Sequence, residues 1–358
     1  MRILSRFAQT CLIALAASAC ATGGKSVDDE IDVLMRRYEG AVPGASLLVV
    51  RNGKPVVRRS WGLADVESGT KAAPTTNYRL ASVSKQFTAT AILLLAEDGK
   101  LELDDSVRRW LPTLPAATSS ITIQHLLTHT SGIVDYEDVI PDGTTAQLHD
   151  ADVLRLLESQ DSTYFRPGSD YRYSNSGYAL LALIVERASR KSFATFLSDR
   201  IFLPLGMRNT VAHEEGVSTV ANRAYGHRIR SEAWTRRDQS VTSAVLGDGG
   251  IYSSIDDLAK WDAALYDSRL LNEESRRLAF TPHVATDQAD VRYGFGWRVT
   301  GETVWHSGET SGFRNVIVRN PGQRLTVVIL TNRDTPEPYQ TALEIARIVS
   351  GHKPPRSQ

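Results

Sequence analysis

The sequence predicts a mixed α/β fold of the α+β kind, in which an antiparallel sheet is flanked by N- and C-terminal helices and carries an inserted helical region. Stretches rich in β-branched residues cluster near both ends of the 358-residue chain, whereas the residues between them show the apolar spacing of helices. The chain is 42% hydrophobic and 23% charged, which is typical of a folded globular protein and not of a disordered one. We therefore expect one large domain over residues 30–350.

Both ends of the chain contribute strands to the expected sheet. Residues 45–50 and 56–61 flank Asn52-Gly53, a dipeptide that favours a two-residue turn between antiparallel strands. The sheet region is assigned to residues 30–75 and 291–350, with later strands at 293–299, 303–307, 314–319 and 325–331 and a covering helix at 339–349.

Helical spacing dominates the middle of the chain, residues 76–290. Apolar residues recur there at the intervals that place them on one face of a helix. No internal repeat is present, so a repeat architecture is not expected. The clearest predicted helices lie at 89–97, 151–158, 178–188 and 256–266.

The first residues have the features of an export signal. A basic start and a short apolar stretch predict a signal peptide over residues 1–19, too short to span a bilayer stably. Ala17-Ser18-Ala19-Cys20 resembles the bacterial lipobox, although Ala17 stands where that pattern usually has Leu. We expect a lipidated Cys20 that attaches the protein to the outer membrane from the periplasm, followed by a tether over residues 20–29. Cleavage without lipidation, giving a soluble periplasmic or secreted protein, is the alternative.

Charge and cysteine content exclude several function classes. The chain has 41 Lys and Arg against 41 Asp and Glu, so its net charge is zero and carries no global signal for nucleic acid. Both cysteines, Cys11 and Cys20, lie in the first twenty residues. The body of the protein therefore has no thiol chemistry, no disulfide and no cysteine-based metal site.

Three Ser-x-x-Lys pairs occur, and their context separates them. Ser68 and Ser350 are each followed by glycine, a poor start for a helix. Ser82, by contrast, opens an apolar run that reaches Leu95 and predicts a buried helix. Residues three apart share a helix face, so Lys85 is expected one turn behind Ser82 with its amine near the hydroxyl. An ordinary serine cap beside a solvated lysine is the alternative for this segment.

A serine hydroxyl needs a base within hydrogen-bond reach to become a nucleophile. Lys85 can serve only as a neutral amine, a form that desolvation favours. Tyr173 is the second candidate, in the one Tyr-x-Asn of the chain, Tyr173-Ser174-Asn175. This tripeptide precedes an apolar helix, so a simple turn and cap would also explain it.

A third segment, Trp305-His306-Ser307-Gly308-Glu309, lies on a predicted strand of the terminal sheet. Gly308 is expected to let the backbone approach a ligand closely, and the following amide can then face the reaction site. Alone, His306 would be read as a structural residue. What makes the segment informative is that it follows the other two in a fixed order.

The three segments in this order resemble the serine β-lactamase and penicillin-binding-protein superfamily, in particular its class C β-lactamase-like branch. The resemblance extends over nearly the whole mature chain. Further segments that carry it are 122–132, 165–168, 204–207, 249–253 and 293–297.

The resemblance implies roles for individual residues. Ser82 is the acylated nucleophile, and Lys85 and Tyr173 share the role of general base, with the choice between them left open. Asn175 positions the Lys85 amine and the substrate, and the backbone amides of Ser82 and Glu309 form the oxyanion hole. Water then attacks the acyl-enzyme, and neither a cofactor nor a metal is required.

His306 departs from the pattern of true class C β-lactamases, which carry Lys in that motif. A largely neutral His is less suited to hold a substrate carboxylate. In this respect the chain resembles the esterases, some D,D-peptidases and the D-amino-acid amidases of the branch. The expected substrate is accordingly an ester, a D-amino-acid peptide or a β-lactam, and the loops at 136–147 and 211–240 do not distinguish among them.

Other classes of protein are weaker hypotheses. His125 and His129 have the spacing of two zinc ligands, but Leu126 stands where a metalloprotease has its catalytic Glu. No Gly-x-Ser-x-Gly occurs, which disfavours an α/β-hydrolase. The main alternative is a non-catalytic lipoprotein that binds cell-wall ligands, although a pure binding protein has no need of Ser82 and Lys85 together.

Overall fold

A computed structural model of the chain describes residues 26–351, so the predicted signal peptide and Cys20 lie outside the described residues. The predicted tether ends earlier than residue 29, because a helix already begins at Val27. Ser26 caps that helix: its hydroxyl accepts from the Asp29 amide, and the Asp29 carboxylate accepts from the Ser26 amide. This reciprocal capping box stabilises the first turn. It was the signal that the tether prediction overlooked.

Helices and strands follow one another along the chain in the following bounds. The helices are α1 (Val27–Met35), α2 (Lys85–Glu97), α3 (Val107–Trp110), α4 (Ile123–Leu127), α5 (Asp150–Glu158), α6 (Asn175–Ser189), α7 (Phe193–Leu197), α8 (Leu246–Gly249), α9 (Ile255–Ala264), α10 (Glu273–Phe280) and α11 (Tyr339–Ser350). The strands are β1 (Ala45–Arg51), β2 (Lys54–Trp61), β3 (Leu63–Asp65), β4 (Thr70–Lys71), β5 (Tyr78–Arg79), β6 (Val211–Ala212), β7 (His227–Arg230), β8 (Ala233–Arg236), β9 (Ile251–Ser253), β10 (Val284–Ala285), β11 (Arg292–Tyr293), β12 (Arg298–Thr300), β13 (Thr303–Thr310), β14 (Phe313–Asn320) and β15 (Leu325–Thr331).

The main sheet joins the two ends of the chain, as the sequence predicts. Its eight strands run in the order β10-β11-β12-β13-β14-β15-β1-β2, and every neighbouring pair is antiparallel. The first strand of the chain thus lies between the second and the last, with Ala45 opposite Thr331. The expected α+β architecture is confirmed.

Alternate side chains of β1 enter two different cores, because successive side chains of a strand point to opposite faces. Leu47 and Val49 join the core under α1 and α11. Leu48 and Val50 join the larger core shared with the helical region. The sheet is therefore covered on both faces.

The predicted strand over 293–299 is wrong in one respect: it is a tight hairpin of two short strands. β11 and β12 pair antiparallel, and the Gly294 amide donates to the Trp297 carbonyl across the turn at 2.7 Å. Gly296 has φ +75°, and a Cβ there would lie 2.7 Å from the Lys85 carbonyl oxygen. Glycine thus permits both the turn and its close packing on the start of α2.

The predicted helical region contains the expected helices and some additional short strands. At its centre lies α2, whose residues from Lys85 to Leu95 are all buried, as expected of a helix that is apolar on every side. The region also contains a three-stranded sheet in the order β5-β9-β6 and the β7-β8 hairpin, which lies within the unassigned 211–240 segment. Within residues 26–351, no helix is long and apolar enough to cross a bilayer.

Candidate active site

Ser82 lies just before α2, in a 3-10 turn over Ala81–Ser84, and the α-helix itself begins at Lys85. The expectation that Ser82 opens the α-helix is therefore off by one turn. Ala81 has φ +51°, a left-handed conformation that is uncommon for a residue with a Cβ. Such strain persists only where the surrounding structure enforces it, and it often marks a functional site.

The other two Ser-x-x-Lys pairs do not form a comparable site. Ser68 lies in the exposed turn between β3 and β4, where its hydroxyl contacts Thr70 at 2.8 Å. Ser350 is the last residue of α11, and Lys353 lies outside the described residues. Only the Ser82 pair brings its hydroxyl and amine together in the described part of the chain.

Lys85 is fully buried, and its amine makes three hydrogen bonds. Nζ lies 3.1 Å from Ser82 Oγ, 2.8 Å from Asn175 Oδ1 and 3.0 Å from the Asp248 carbonyl oxygen. The last two atoms only accept hydrogen bonds, so they use two N–H bonds of the amine. The third hydrogen bond joins the amine to the Ser82 hydroxyl.

Asn175 is the first residue of α6, which Ser174 caps by accepting from the Gly177 amide. While its oxygen accepts from Lys85, its Nδ2 donates to Glu137 Oε1 at 3.0 Å. The Asn175 backbone amide also donates to Asp135 Oδ2 at 2.7 Å. These contacts fix the orientation of the amide, with its oxygen beside the Lys85 amine.

Tyr173 reaches the site through its ring and not through its hydroxyl. Lys85 Nζ lies 4.9 Å from the centre of the Tyr173 ring. The hydroxyl is buried and has no hydrogen-bond partner among the described residues. Tyr173 packs against His129, with ring centres 4.3 Å apart, in a cluster of aromatic side chains behind the nucleophile.

His306 belongs to this cluster and is 1% exposed. Its Nδ1 lies 2.6 Å from the Ser307 carbonyl oxygen, so that nitrogen carries the proton, and its Nε2 accepts from the Tyr293 hydroxyl at 3.0 Å. Burial, followed by the nearby Arg298 charge, holds the pKa of His306 well below its ordinary value. His306 is therefore neutral, and both ring nitrogens are occupied within the protein.

The segment of β13 that follows His306 has one free edge. Thr310 lies opposite Phe313 at the end of the two-residue turn to β14, whereas β12 pairs only with residues 303–305. Because hydrogen bonding alternates along an antiparallel strand, the Ser307 and Glu309 amides point away from β14, toward the free edge. Neither amide is therefore used by the pairing with β14.

Gly308 packs closely against the segment that precedes Ser82. A Cβ at this position would overlap the carbonyl oxygen of Leu80 and would lie 3.3 Å from the Ala81 side chain. Its absent side chain lets β13 pack directly on the turn that carries Ser82.

A small cleft opens above Ser82. Three of the residues that line it were not singled out by sequence reasoning: Tyr136, Glu137 and Asp248. Tyr136 donates to the Asp248 carboxyl at 3.0 Å, and burial raises the pKa of that carboxyl to about 7. A charged residue inside the glycine-rich segment 247–250 was the available signal for Asp248. The lining residues are Arg79, Ala81, Ser82, Tyr136, Glu137, Asn175, Thr242, Asp248, Gly249, Glu309 and Thr310.

The two histidines considered as zinc ligands have structural roles. His125 Nδ1 accepts from the Thr122 amide at the start of α4. His129 lies beyond the end of that helix, and its Nδ1 accepts from the Ser174 amide at 3.0 Å. Among residues 26–351 no group of three or more potential metal-binding side chains is found.

A serine hydroxyl held against a buried lysine amine, between a helical region and the edge of an antiparallel sheet, defines a serine hydrolase. The chain belongs to the beta-lactamase family, whose profile matches residues 27–350. Penicillin-binding protein 4* of Bacillus subtilis is 33% identical over 317 residues, which cover 83% of this chain and 70% of that protein. The expected superfamily is confirmed, while the class C-like branch stays a prediction.

Solved structures show the same fold. The octameric penicillin-binding protein homologue from Pyrococcus abyssi superposes with a TM-score of 0.82 at 26% identity, covering 92% of this chain and 78% of that one. EstCE1, described as a hydrolase with promiscuous acyltransferase activity, superposes with a TM-score of 0.76. At 23% identity, covering 90% of this chain and 98% of that one, EstCE1 shows the fold alone.

Proposed function

We propose that this serine hydrolase acts through an acyl-enzyme on Ser82 and that its preferred substrates are esters without a carboxylate beside the scissile bond. The observation that carries the mechanism is the Lys85 amine, which directs its third hydrogen bond at Ser82 Oγ. The observation that favours esters is His306, which is neutral and has both ring nitrogens engaged inside the protein.

In the proposed first step, Ser82 Oγ attacks the substrate carbonyl carbon. The hydroxyl proton passes to the base, Lys85 or Tyr173, while the negative charge on the carbonyl oxygen is stabilised by the Ser82 and Glu309 amides. Collapse of the tetrahedral intermediate breaks the bond to the leaving alcohol, which takes up the proton. Water then attacks the acyl-enzyme, and the released acid leaves Ser82 with its proton restored.

Substrate choice follows from which groups face the cleft. D-amino-acid peptides and β-lactams carry a carboxylate near the reacting carbonyl, and a neutral His306 cannot pair with it. A short acyl group on a neutral alcohol does not meet this obstacle, and the small cleft suits it.

The test is a comparison of the wild-type protein and Ser82→Ala on p-nitrophenyl acetate, p-nitrophenyl butyrate, nitrocefin and a D-Ala-D-Ala peptide. We expect ester turnover that is lost in Ser82→Ala, with slow or absent nitrocefin cleavage. Rapid nitrocefin cleavage or dominant D-Ala release would overturn the ester preference. Full ester activity in Ser82→Ala would overturn the mechanism. If the wild-type protein turned over none of the four substrates, the binding-protein hypothesis would be favoured.

We also propose export and attachment through a lipidated Cys20, on the basis of the leader pattern in residues 1–20. The full-length chain should partition into the detergent phase of a Triton X-114 separation, and Cys20→Ser should move it to the aqueous phase. Equal partition of both proteins would contradict lipidation.

A further inference from the structure

Arg79, on β5, is a buried cation beside the nucleophile, and the reaction scheme above does not use it. It comes three residues before Ser82, lines the same cleft and is 3% exposed. Its Nη1 donates to Gln239 Oε1 at 3.1 Å, and its guanidinium carbon lies 5.8 Å from the centre of the Tyr252 ring. Among residues 26–351, no carboxylate forms an ion pair with it. A buried charge without an ionic partner is costly, and a ligand in the cleft can supply that partner.

The position of Arg79 is fixed from several directions. Its backbone carbonyl accepts from Asn315 Nδ2, on β14, at 2.8 Å. Its side chain lies where the two loops that carry no substrate signal in the sequence meet. Gln147 from the first loop donates at 3.0 Å to the same Gln239 oxygen of the second loop. Arg79 therefore belongs to the wall of the cleft and is not a solvated surface side chain.

The carboxyl groups that line the cleft are engaged with other side chains and not with Arg79. Their partners are Arg314 for Glu309, Asn175 for Glu137 and Tyr136 for Asp248. Among the described residues, Arg79 is the one cation that lines this cleft. A guanidinium binds a carboxylate through two parallel hydrogen bonds, so a carboxylate is the substrate group that suits it best.

The part of the substrate that meets Arg79 is its acyl chain. In the proposed reaction the leaving alcohol takes its proton from the base, so the alcohol lies on the side of Lys85 and Tyr173. Neither of those two side chains lines the cleft. The acyl chain therefore occupies the cleft, in whose wall Arg79 lies.

We propose that Arg79 binds a carboxylate at the far end of the acyl chain, so that the preferred substrates are half-esters of short dicarboxylic acids. This inference rests on the proposed function and names the substrate class of the same site. It is compatible with a neutral His306, because the carboxylate of a D-alanyl peptide belongs to the leaving group, whereas this one belongs to the acyl group. Arg79 is accordingly a specificity residue that touches the substrate away from the reacting bond.

The preference should appear between esters that differ only in that group. Monoethyl succinate and ethyl butyrate have the same chain length, with a carboxylate in the first where the second has a methyl group. Hydrogen bonds to a charged partner typically strengthen binding by about 10-fold to 100-fold. We expect kcat/KM of the wild-type protein to favour the half-ester by about that factor, in this pair or in monoethyl glutarate and ethyl valerate, which are one methylene longer.

The experiment measures acid release from each ester in a pH-stat near neutral pH, with Ser82→Ala as the blank. In Arg79→Gln the ratio of the two kcat/KM values should fall close to one. Because Arg79 is close to Ser82, a second variant leaves it in place: Gln239→Glu sets a carboxylate against the guanidinium and should abolish the preference in the same way. A general loss of activity lowers both rates alike and does not change the ratio.

Arg223→Gln is the matched control. The Arg223 guanidinium carbon lies 5.2 Å from the centre of the same Tyr252 ring, but Arg223 is paired with Asp238 at 2.6 Å and does not line the cleft above Ser82. This variant should keep the wild-type ratio.

Two results would overturn the inference. One is a wild-type protein that does not favour the half-ester in either pair, including one that turns over p-nitrophenyl acetate but none of these four esters. The other is an Arg79→Gln or Gln239→Glu variant that keeps the wild-type ratio. If Ser82→Ala hydrolyses the esters as fast as the wild type, the proposed function itself fails. If hydrolysis depends on Ser82 but shows no preference for the half-ester, only the role of Arg79 fails.

Discussion

The Lys85 amine has one direction in which it can exchange a proton. Asn175 Oδ1 and the Asp248 carbonyl hold it from two sides, and Ser82 Oγ occupies the third. Because these partners come from α6 and α8, the amine is positioned by tertiary packing and not by its own helix alone. A catalytic base that is fixed in this way loses little activity to misorientation.

Loss of this amine should abolish most of the activity without unfolding the protein. We expect Lys85→Ala to lower kcat/KM on p-nitrophenyl acetate by about 10² to 10⁴, the usual cost of removing a general base. Tyr173→Phe should cause a loss in the same range if the two residues share the role.

Tyr171→Phe is the matched control for these variants. Its hydroxyl is also buried without a hydrogen-bond partner among residues 26–351, but the residue lines a groove beside Arg292 and not the cleft above Ser82. Its activity should stay near that of the wild type. A Lys85→Ala variant that keeps most of its activity would contradict the role of the amine.

At the scale of elements, the site depends on how closely β13 packs on the turn before α2. Gly308 faces the Leu80 carbonyl, and the Glu309 amide points to the free edge of the strand. The two amides of the proposed oxyanion hole therefore come from elements that touch at a position without a side chain. Their spacing is set at this contact.

Gly308→Ala should reduce stability and activity together. The added methyl group overlaps backbone, which is costly to move, and such overpacking usually costs about 1–3 kcal/mol. A displacement of the turn by about 1 Å should lower kcat/KM by up to about 100-fold. Gly322→Ala is the control, because its Cβ would meet only the Asn320 side chain, at 3.5 Å. Thermal unfolding and ester hydrolysis measure the two effects. A Gly308→Ala variant with wild-type stability and wild-type activity would contradict the claim that this contact sets the geometry of the site.

The positions of several helices and strands, and the pairing of Ser82 with Lys85, could be predicted because they depend on the local spacing of residues. The Asn52-Gly53 hairpin and the helices near 151–158 and 178–188 lie within a few residues of their predicted places. The left-handed conformation of Ala81 could not be predicted, since alanine has no preference for it.

Contacts made by distant segments were also beyond prediction. The hydrogen bond between Asn175 and Glu137 joins residues 38 positions apart, and no local pattern encodes it. The inward orientation of His306 was missed for the same reason, because its Tyr293 partner lies on another strand.

At the scale of the whole molecule, the helical region is tied to the sheet by a buried ion pair. Arg319 on β14 donates to Asp262 on α9 at 2.7 Å, and Thr326 on β15 donates to the same carboxylate at 2.7 Å. The side chains of Arg319 and Asp262 are 1% and 2% exposed. These residues are distant from Ser82 in the sequence. Their contact stabilises the packing of α9 on the sheet.

Breaking this pair should destabilise the fold strongly. Asp262→Ala leaves the Arg319 charge buried without its partner, which typically costs about 3–5 kcal/mol of unfolding free energy. Asp199→Ala removes the exposed partner of Lys191 and should cost about 1 kcal/mol or less. Urea unfolding measures both, and similar losses in the two variants would contradict a special role for the buried pair.

The most direct test of the central claim is covalent labelling of Ser82 by a fluorophosphonate probe, followed by intact-protein mass spectrometry and peptide mapping. We predict one adduct per chain, on Ser82, that is absent from Ser82→Ala and unchanged in Ser68→Ala, whose serine has the same Ser-x-x-Lys spacing in an exposed turn. Labelling of Ser82→Ala to the wild-type extent, or no labelling of the folded wild-type protein, would contradict an activated Ser82.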